Sequence, residues 1–308
     1  MADPKDTASG TSPERPGYQH QPVMVREVLD LLQIGPDKTY VDGTLGLGGH
    51  AEAILEKSSP SGRLWGIDRD PEALALARQR LGKFGDRFHG VHDTFDHVHE
   101  ILRRDGLEEV DGMLLDLGVS SLQLEKAERG FSFLKSSALD MRMDLEEEVT
   151  ARELLDDLPE KDLEAIFREY GEERFSKRIA HKIVRSRQEA PIRTTDDLRN
   201  LVSRAVPFFK KSKIHPATRV FQALRIAVNR ELELLRKFLK EPPRFIRTGG
   251  TLVIISYHSL EDRIVKEAFR SFEGFQILTK KPLRPQYNEV KENPRARSAK
   301  LRAIRRTA

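Results

Sequence analysis

Apolar residues fall along this chain in two rhythms. Short runs of strand length lie within 39–46, beginning Thr39-Tyr-Val-Asp42, and at Arg63-Leu-Trp-Gly-Ile-Asp68, and each of these runs carries an aspartate where the strand ends. A stretch with helical spacing follows each one, over 51–57 and 71–81. Pro71 stands where a helix can begin without losing a backbone hydrogen bond. Further apolar runs occur at Met113-Leu-Leu-Asp116, after Val110, and at Thr251-Leu-Val-Ile-Ile-Ser256. Strands alternating with helices predict a mostly parallel sheet covered by helices on both faces, an α/β fold. Between 125 and 215 the rhythm is helical only. Thr150-Ala-Arg-Glu153 fits a capping box, and Leu163, Ile166, Phe167 and Tyr170, then Phe175, Ile179 and Ile183, recur at helical spacing. The pattern predicts a helical domain inserted into a sheet domain made of 18–124 and 216–280. A long helix near 218–240 (Val220, Leu224, Val228, Leu232, Leu235) would return the chain to the sheet. Residues 1–17, with three prolines, two glycines and no apolar periodicity, read as disordered.

Composition narrows the chemistry. With 308 residues and 38% of them hydrophobic, the chain can bury a sizeable core. The absence of cysteine excludes disulfides, thiolate metal ligands and a thiol nucleophile. No apolar run reaches the length of a membrane span, and the N-terminus lacks a basic-then-apolar leader, so a cytoplasmic location without membrane contact is the expectation. The net charge of +4 hides an asymmetry: residues 280–308 carry ten Lys/Arg against Glu289 and Glu292, leaving the remainder acidic. Residues 281–308 therefore read as a basic tail, suited to a polyanionic partner or else simply solvated.

The first strand runs into Asp42-Gly-Thr-Leu-Gly-Leu-Gly-Gly-His50. A strand that ends in a glycine-rich turn and opens a helix places backbone N–H groups around a ligand. Glycine lets the backbone approach that ligand where a Cβ would collide. Asp68 ends the next strand, where an acid can accept hydrogen bonds from both ribose hydroxyls of a nucleotide-like cofactor. Gly46-Leu-Gly-Gly-His-Ala51 also fits a looser dinucleotide pattern, so a nicotinamide-dependent oxidoreductase stays open. Against it, Asp42 at the loop mouth would repel a pyrophosphate and suit a cationic sulfonium, and Asp116 adds a further acid at a later strand end. The bland alternative is that some of these aspartates only cap helices or form turns.

The motifs then carry a resemblance. Val41-Asp-Gly-Thr-Leu-Gly-Leu-Gly-Gly-His50, Gly66-Ile-Asp-Arg-Asp-Pro71 and Leu114-Leu-Asp-Leu-Gly-Val-Ser-Ser121 resemble the ribosomal RNA small-subunit methyltransferase H family, also called MraW. So do His20-Gln-Pro-Val-Met24, Arg129-Gly-Phe-Ser-Phe133, Leu139-Asp-Met-Arg-Met-Asp144 and Tyr170-Gly-Glu-Glu-Arg174. The pattern continues through His215-Pro-Ala-Thr-Arg219, Ser256-Tyr-His-Ser-Leu-Glu-Asp-Arg263 and Asn293-Pro-Arg-Ala-Arg297, so it spans about 20–300 in order. The resemblance implies a Rossmann-like methyltransferase domain with a helical insertion and S-adenosylmethionine as cofactor. It implies methylation of the N4 amine of a decoding-centre cytosine, cytosine 1402, in 16S rRNA of the small ribosomal subunit. The implied cofactor contacts are Gly48, Gly49, His50, Asp68, Phe95, Asp116 and Gln123, with Phe95 stacking on the adenine, although spacing alone would make Phe95 a core aromatic. One departure is visible: Leu122 stands where the family usually has proline, which bears on the turn presenting Gln123.

An exocyclic cytosine amine is a weak nucleophile, because its lone pair is delocalised into the ring. The enzyme must orient that lone pair and accept a proton. The candidates at strand ends are Asp116, Ser120, Ser121 and His258, with Tyr257 placed to stack on a base presented out of its helix. His258 could equally cap a helix. Asp140 and Arg142 are either an internal pair or an RNA contact, and Gln222, Arg225 and Asn229 share a helix face that could be wet or bound. Arg174, Arg178, Lys182 and Arg185 recur at helical spacing as a stripe that could follow a phosphate backbone, or face solvent. No DNA partner and no metal site is expected, and a homodimer stays open. An RNA-binding assembly factor with a vestigial site is the remaining alternative.

Overall fold

The computed structural model describes residues 22–206 and 215–308. The segment 1–17, expected to be disordered, lies outside the described residues. In chain order the first half contains α1 (Val25–Leu32), β1 (Thr39–Asp42), α2 (Gly49–Lys57), β2 (Arg63–Asp68), α3 (Pro71–Leu81) and β3 (Phe88–His92). It continues through α4 (Val98–Arg104), β4 (Val110–Asp116), α5 (Ser121–Glu125), α6 (Ala151–Asp157), α7 (Glu160–Glu169), α8 (Ser176–Glu189) and α9 (Thr195–Ala205). Then follow α10 (Ala217–Val228), α11 (Glu231–Phe238), β5 (Ile246–Ser256), α12 (Ser259–Ser271), β6 (Phe275–Ile277), α13 (Tyr287–Glu292) and β7 (Lys300–Arg306).

One seven-stranded sheet organises the chain, in the order β3-β2-β1-β4-β5-β7-β6. The first five strands run parallel, and β7 is antiparallel to both β5 and β6. The central parallel strands are buried on both faces: all of β1 and residues 110–115 of β4 are buried. One face carries a core of Tyr40, Leu64 and Val253 against α1, α2 and α3. The other packs Val41, Ile67, Met113 and Ile254 against α4, α11 and α12. Chain order reverses between β1 and β4, so the crevice beyond the carboxyl ends of those strands is where a ligand is held in sheets of this kind.

Between β4 and β5 the chain builds a separate apolar cluster, centred on Leu163, Phe167, Ile179 and Leu198. α10 belongs to this cluster through Val220, Phe221 and Leu224, whereas α11 packs on the sheet through Leu235. The single long helix expected over 218–240 is therefore two. Arg230 adopts φ 51°, in the left-handed region, and breaks the ladder there. Asn229, buried, fixes the break: its Nδ2 donates to the Met141 carbonyl (2.7 Å) and its Oδ1 accepts from the Met143 N–H (2.7 Å). The helical cluster thus extends to Val228, beyond the boundary expected at 215.

The basic tail expected over 281–308 is a second correction. Residues 300–306 are strand β7, inside the sheet, with Leu301, Ala303 and Ile304 fully buried. Three of its four charges are paired internally: Arg302 and Lys300 with Asp262, and Arg306 with Glu109. Only the stretch before it, with Lys280, Lys281, Arg284, Lys291, Arg295 and Arg297 exposed, presents basic surface.

Candidate functional site

A cavity of about 360 Å³ opens at the strand tips, where β1 gives way to the glycine loop and β2 and β4 end. Asp68, Phe95, Asp116 and Gln123 all line it, as do Gly49 and His50. Ser120 and Ser121 form its rim beside Leu117, and Tyr257 and Glu261 reach it from the end of β5.

Asp116 sits at the junction of three elements. Its backbone N–H donates to Thr44 Oγ1 (2.6 Å), which ties the tip of β4 to the glycine loop. The Tyr257 hydroxyl donates to its Oδ1 (2.8 Å), and its Oδ2 lies 3.6 Å from His50 Nδ1. His50 Nε2 meets the Val23 carbonyl at 2.8 Å and, facing an acceptor, must carry the hydrogen. Burial holds the ring neutral, pushing its pKa down to about 4, so Nδ1 offers Asp116 a lone pair. Burial likewise lifts the Asp116 carboxyl to about 7, against the opposing pull of the Tyr257 hydrogen bond.

Asp68 is held by the loop itself. Gly46 N–H donates to its Oδ2 (2.6 Å) and Asp70 N–H to its Oδ1 (2.8 Å). Burial nevertheless raises it to about 6. Phe95 packs edge-on to Phe238 (5.7 Å between centroids) with its remaining surface toward the cavity. Gln123 is fixed twice over: it closes a capping box with Ser120, and its Nε2 donates to Asp70 Oδ2 (2.9 Å). Leu122, in the place of the family's proline, is buried against Leu47 and Ala73, so packing anchors the turn. Ser121 hydrogen-bonds Arg295, which also pairs with Glu125 (3.1 Å) and brings the segment before β7 over the cavity.

Three expected site residues do not line the cavity. Asp42 is the last residue of β1 and is buried beneath the loop rather than at its mouth; Oδ1 accepts from Thr44 N–H (3.2 Å) and Oδ2 has no hydrogen-bond partner among the described residues. Gly48 makes the left-handed turn (φ 77°) that opens α2, and a Cβ there would stand 3.0 Å from Leu81, so its role is packing. His258 caps α12: its Nδ1 accepts from Glu261 N–H (3.4 Å) and its Nε2 lies 3.1 Å from Glu261 Oε1. A residue that follows a strand and opens a helix is drawn to the unpaired N–H groups there, which removes His258 from the catalytic candidates. Asp140 and Arg142 form an internal pair with two side-chain hydrogen bonds (2.8 and 2.9 Å). The sequence reading gave no role to Asp70, Thr44 and Glu261, although they lie within motifs it singled out, and missed Glu231, which lies in none.

The electrostatics say what the cavity can hold. Asp42, raised by burial to about 8, stands with Asp68 and Asp116, and among the described residues no Lys or Arg lies within ion-pair distance of any of the three. A cationic ligand fits this floor and a pyrophosphate does not. A cation would lower all three carboxyl pKa values, so its binding must release protons. At pH 7, calorimetry with S-adenosylmethionine in buffers of different ionisation enthalpy should show net proton release, with affinity rising between pH 6 and 8. The neutral thioether S-adenosylhomocysteine should release fewer protons. A binding enthalpy independent of buffer would contradict this. No group of three or more His, Cys, Asp or Glu among the described residues is placed to hold a metal ion.

Comparison with known proteins places the chain in a family. Residues 17–307 match the MraW methylase family. The chain is 51% identical over 290 residues to a protein of Thermotoga neapolitana named ribosomal RNA small subunit methyltransferase H, covering 93% of this chain and 95% of that one. A protein of the same name from Geobacter sulfurreducens is 50% identical over 305 residues, covering 93% and 98%. Among solved structures, an rRNA methylase from Streptococcus thermophilus aligns with a TM-score of 0.42 at 13% identity, over 92% of this chain and 96% of that one.

Proposed function

The chain belongs to the MraW methylase family, and from that membership we propose that it methylates 16S rRNA of the small ribosomal subunit at the N4 amine of cytosine 1402. The methyl donor is S-adenosylmethionine. The observation that carries the reading is the cluster of cation-seeking carboxylates at the switch point of the sheet, with Asp68 and Asp116 on the cavity wall. Asp68 would hold the ribose hydroxyls, Phe95 the adenine face, and the loop from Gly46 to His50 the amino-acid end. The bound donor supplies an electrophilic methyl group on a sulfonium.

The protein supplies orientation and a proton acceptor. As the amine nitrogen forms its bond to the methyl carbon, the carbon–sulfur electron pair stays on sulfur and one amine N–H must lose its proton. Asp116 Oδ2 is the acceptor: it faces a lone pair on His50 Nδ1, while Tyr257 steadies Oδ1. A carboxyl whose pKa lies near 7 can be ionised when the amine arrives and protonated when it leaves. Ser120 and Ser121 shape the rim, their hydroxyls already engaged by Gln123 and Arg295.

RNA binding would use the exposed side of α8, where Arg178 and Arg185 are exposed, Lys182 is half-buried and Arg174 precedes the helix. Each phosphate contact contributes about 0.7 to the salt slope for single-stranded RNA. Arg178→Gln with Arg185→Gln should therefore flatten the plot of log affinity for small subunits against log salt by about 1 to 1.4. An unchanged slope would remove the stripe from the interface. The function itself is tested by mass mapping of small-subunit rRNA from a strain lacking this gene. One methyl should vanish from the N4 position of cytosine 1402 and return on complementation; loss at another nucleotide, or no loss, would overturn it.

A further inference from the structure

The cavity that Asp116 lines also contains an ion pair that neither donor binding nor the proton transfer uses. α10 ends at Val228 and α11 begins at Glu231, and the left-handed Arg230 between them turns the last turn of one helix toward the first turn of the next. Arg225 and Glu231 meet across that corner in a two-pronged pair: Nε donates to Oε1 and Nη2 to Oε2, both at 2.8 Å. Their side chains are 16% and 11% exposed, and both line the cavity, beside the apolar Met143, Leu234 and Leu235. Glu261 joins this corner to the reacting end. Its carboxylate accepts the N–H of Tyr257 (2.8 Å), and it acts electrostatically on Asp116 and on Arg225.

The pair is not the corner's only tie. Asn229 already staples the break to Met141 and Met143, and Arg230 N–H donates to the Ala227 carbonyl. A desolvated ion pair stabilises a fold no better than well-packed apolar side chains would. What it does supply is a fixed hydrogen-bonding edge. The fork consumes Nε and Nη2 of Arg225, and Nη1 meets no acceptor among the described residues. Each Glu231 oxygen keeps a further lone pair. A donor therefore stands next to an acceptor on one wall of a largely apolar cavity.

We propose that Arg225 and Glu231 read the base to be methylated, Glu231 accepting one N–H of its exocyclic amine and Arg225 Nη1 donating to the ring nitrogen beside it. This rests on the function proposed above and adds the specificity determinant to it. Cytosine presents that donor–acceptor edge. Uracil presents a carbonyl where the amine should be, facing a carboxylate, and guanine presents the reverse order. With one amine hydrogen held by Glu231, the other is left for Asp116, which fixes which proton is lost.

The test uses the full-length enzyme with small subunits reconstituted to carry cytosine, uracil or pyrimidin-2-one (cytosine without its amine) at the target position, as competitors in the methyl-transfer assay. The wild type should favour the cytosine particle over both others by about tenfold or more, the discrimination expected of one paired base edge. In Glu231→Gln, the Arg225 fork keeps the amide oxygen and turns the NH₂ toward the base. That variant should lose the preference and bind the uracil particle at least as well as the cytosine one. Arg225→Lys keeps the charge but not the fork, and should bring all three particles within about twofold; it also decides the matter if Glu231→Gln does not fold. Donor affinity should stay near wild type in both, while the melting temperature of Glu231→Gln should fall, because it leaves the buried Arg225 without its counter-charge. A purely structural pair would leave the ratios between particles untouched, and full cytosine preference in a folded variant overturns the proposal. A wild type that transfers no methyl group to the cytosine particle instead overturns the function, and the base reading falls with it.

Discussion

Asp116→Asn should lower kcat for methyl transfer by roughly 10²- to 10⁴-fold, the range that a positioned proton acceptor contributes. The substitution is close to isosteric. Its carbonyl oxygen can still accept from the Tyr257 hydroxyl, which now meets Oδ1 at 2.8 Å. Its NH₂ would face His50 Nδ1, which offers a lone pair because Nε2 carries the hydrogen toward Val23. The local hydrogen bonds therefore survive, and a buried carboxyl whose ionised form burial disfavours is removed, so the melting temperature should not fall. What disappears is the ability to take a proton from the amine, together with one anion facing the cationic donor. Donor affinity should weaken while the fold stays intact. Single-turnover transfer of labelled methyl at saturating donor separates the two effects; a rate within tenfold of wild type would take Asp116 out of the chemistry.

Ending the chain at Ala299 should abolish folding, and this second large effect distinguishes a structural strand from a binding tail. β7 lies between β5 and β6, paired along Thr251–Ser256 on one side and Phe275–Ile277 on the other. Leu301 and Ile304 are fully buried. Two such side chains contribute about 1.5–3 kcal/mol each, and the ladder adds about 0.5–1.5 kcal/mol for each hydrogen bond lost. The sum is comparable with the whole net stability of about 5–15 kcal/mol typical of a domain. Circular dichroism of the truncated protein should show no cooperative thermal transition. Lys291→Gln with Arg297→Gln, both exposed, should melt like the wild type. A folded truncation would mean that the strand is dispensable.

The same strand shows where sequence reading stops. Lys300-Leu-Arg-Ala-Ile-Arg-Arg306 contains more cationic than apolar residues, so it reads as a charged tail. Within the sheet, Asp262 and Glu109, far away in sequence, pair with Lys300, Arg302 and Arg306. The parallel strands were legible because burial on both faces forces continuous apolar runs such as Met113-Leu-Leu115. The half-exposed edge strand β3, Phe88–His92, has no such run and left no signal. The break at Arg230 was hidden because Val220, Leu224, Val228, Leu232 and Leu235 continue at helical spacing straight through it.

The site divides along the same line. Asp68 and Asp116 could be placed because a residue ending a parallel strand at a glycine-rich turn faces the crevice. Asp42 ends a strand too, yet its carboxylate lies under the loop, a matter of strand phase that spacing does not fix. Arg225 and Glu231 could not be paired from sequence, since the left-handed turn at Arg230 alone brings them together.

A crystal of the protein grown with S-adenosylmethionine tests the central claim most directly. The donor should occupy the cavity at the tips of β1, β2 and β4, in contact with Asp68, Phe95 and Asp116. Density for the donor at any other place, or an empty cavity at saturating donor, would contradict it.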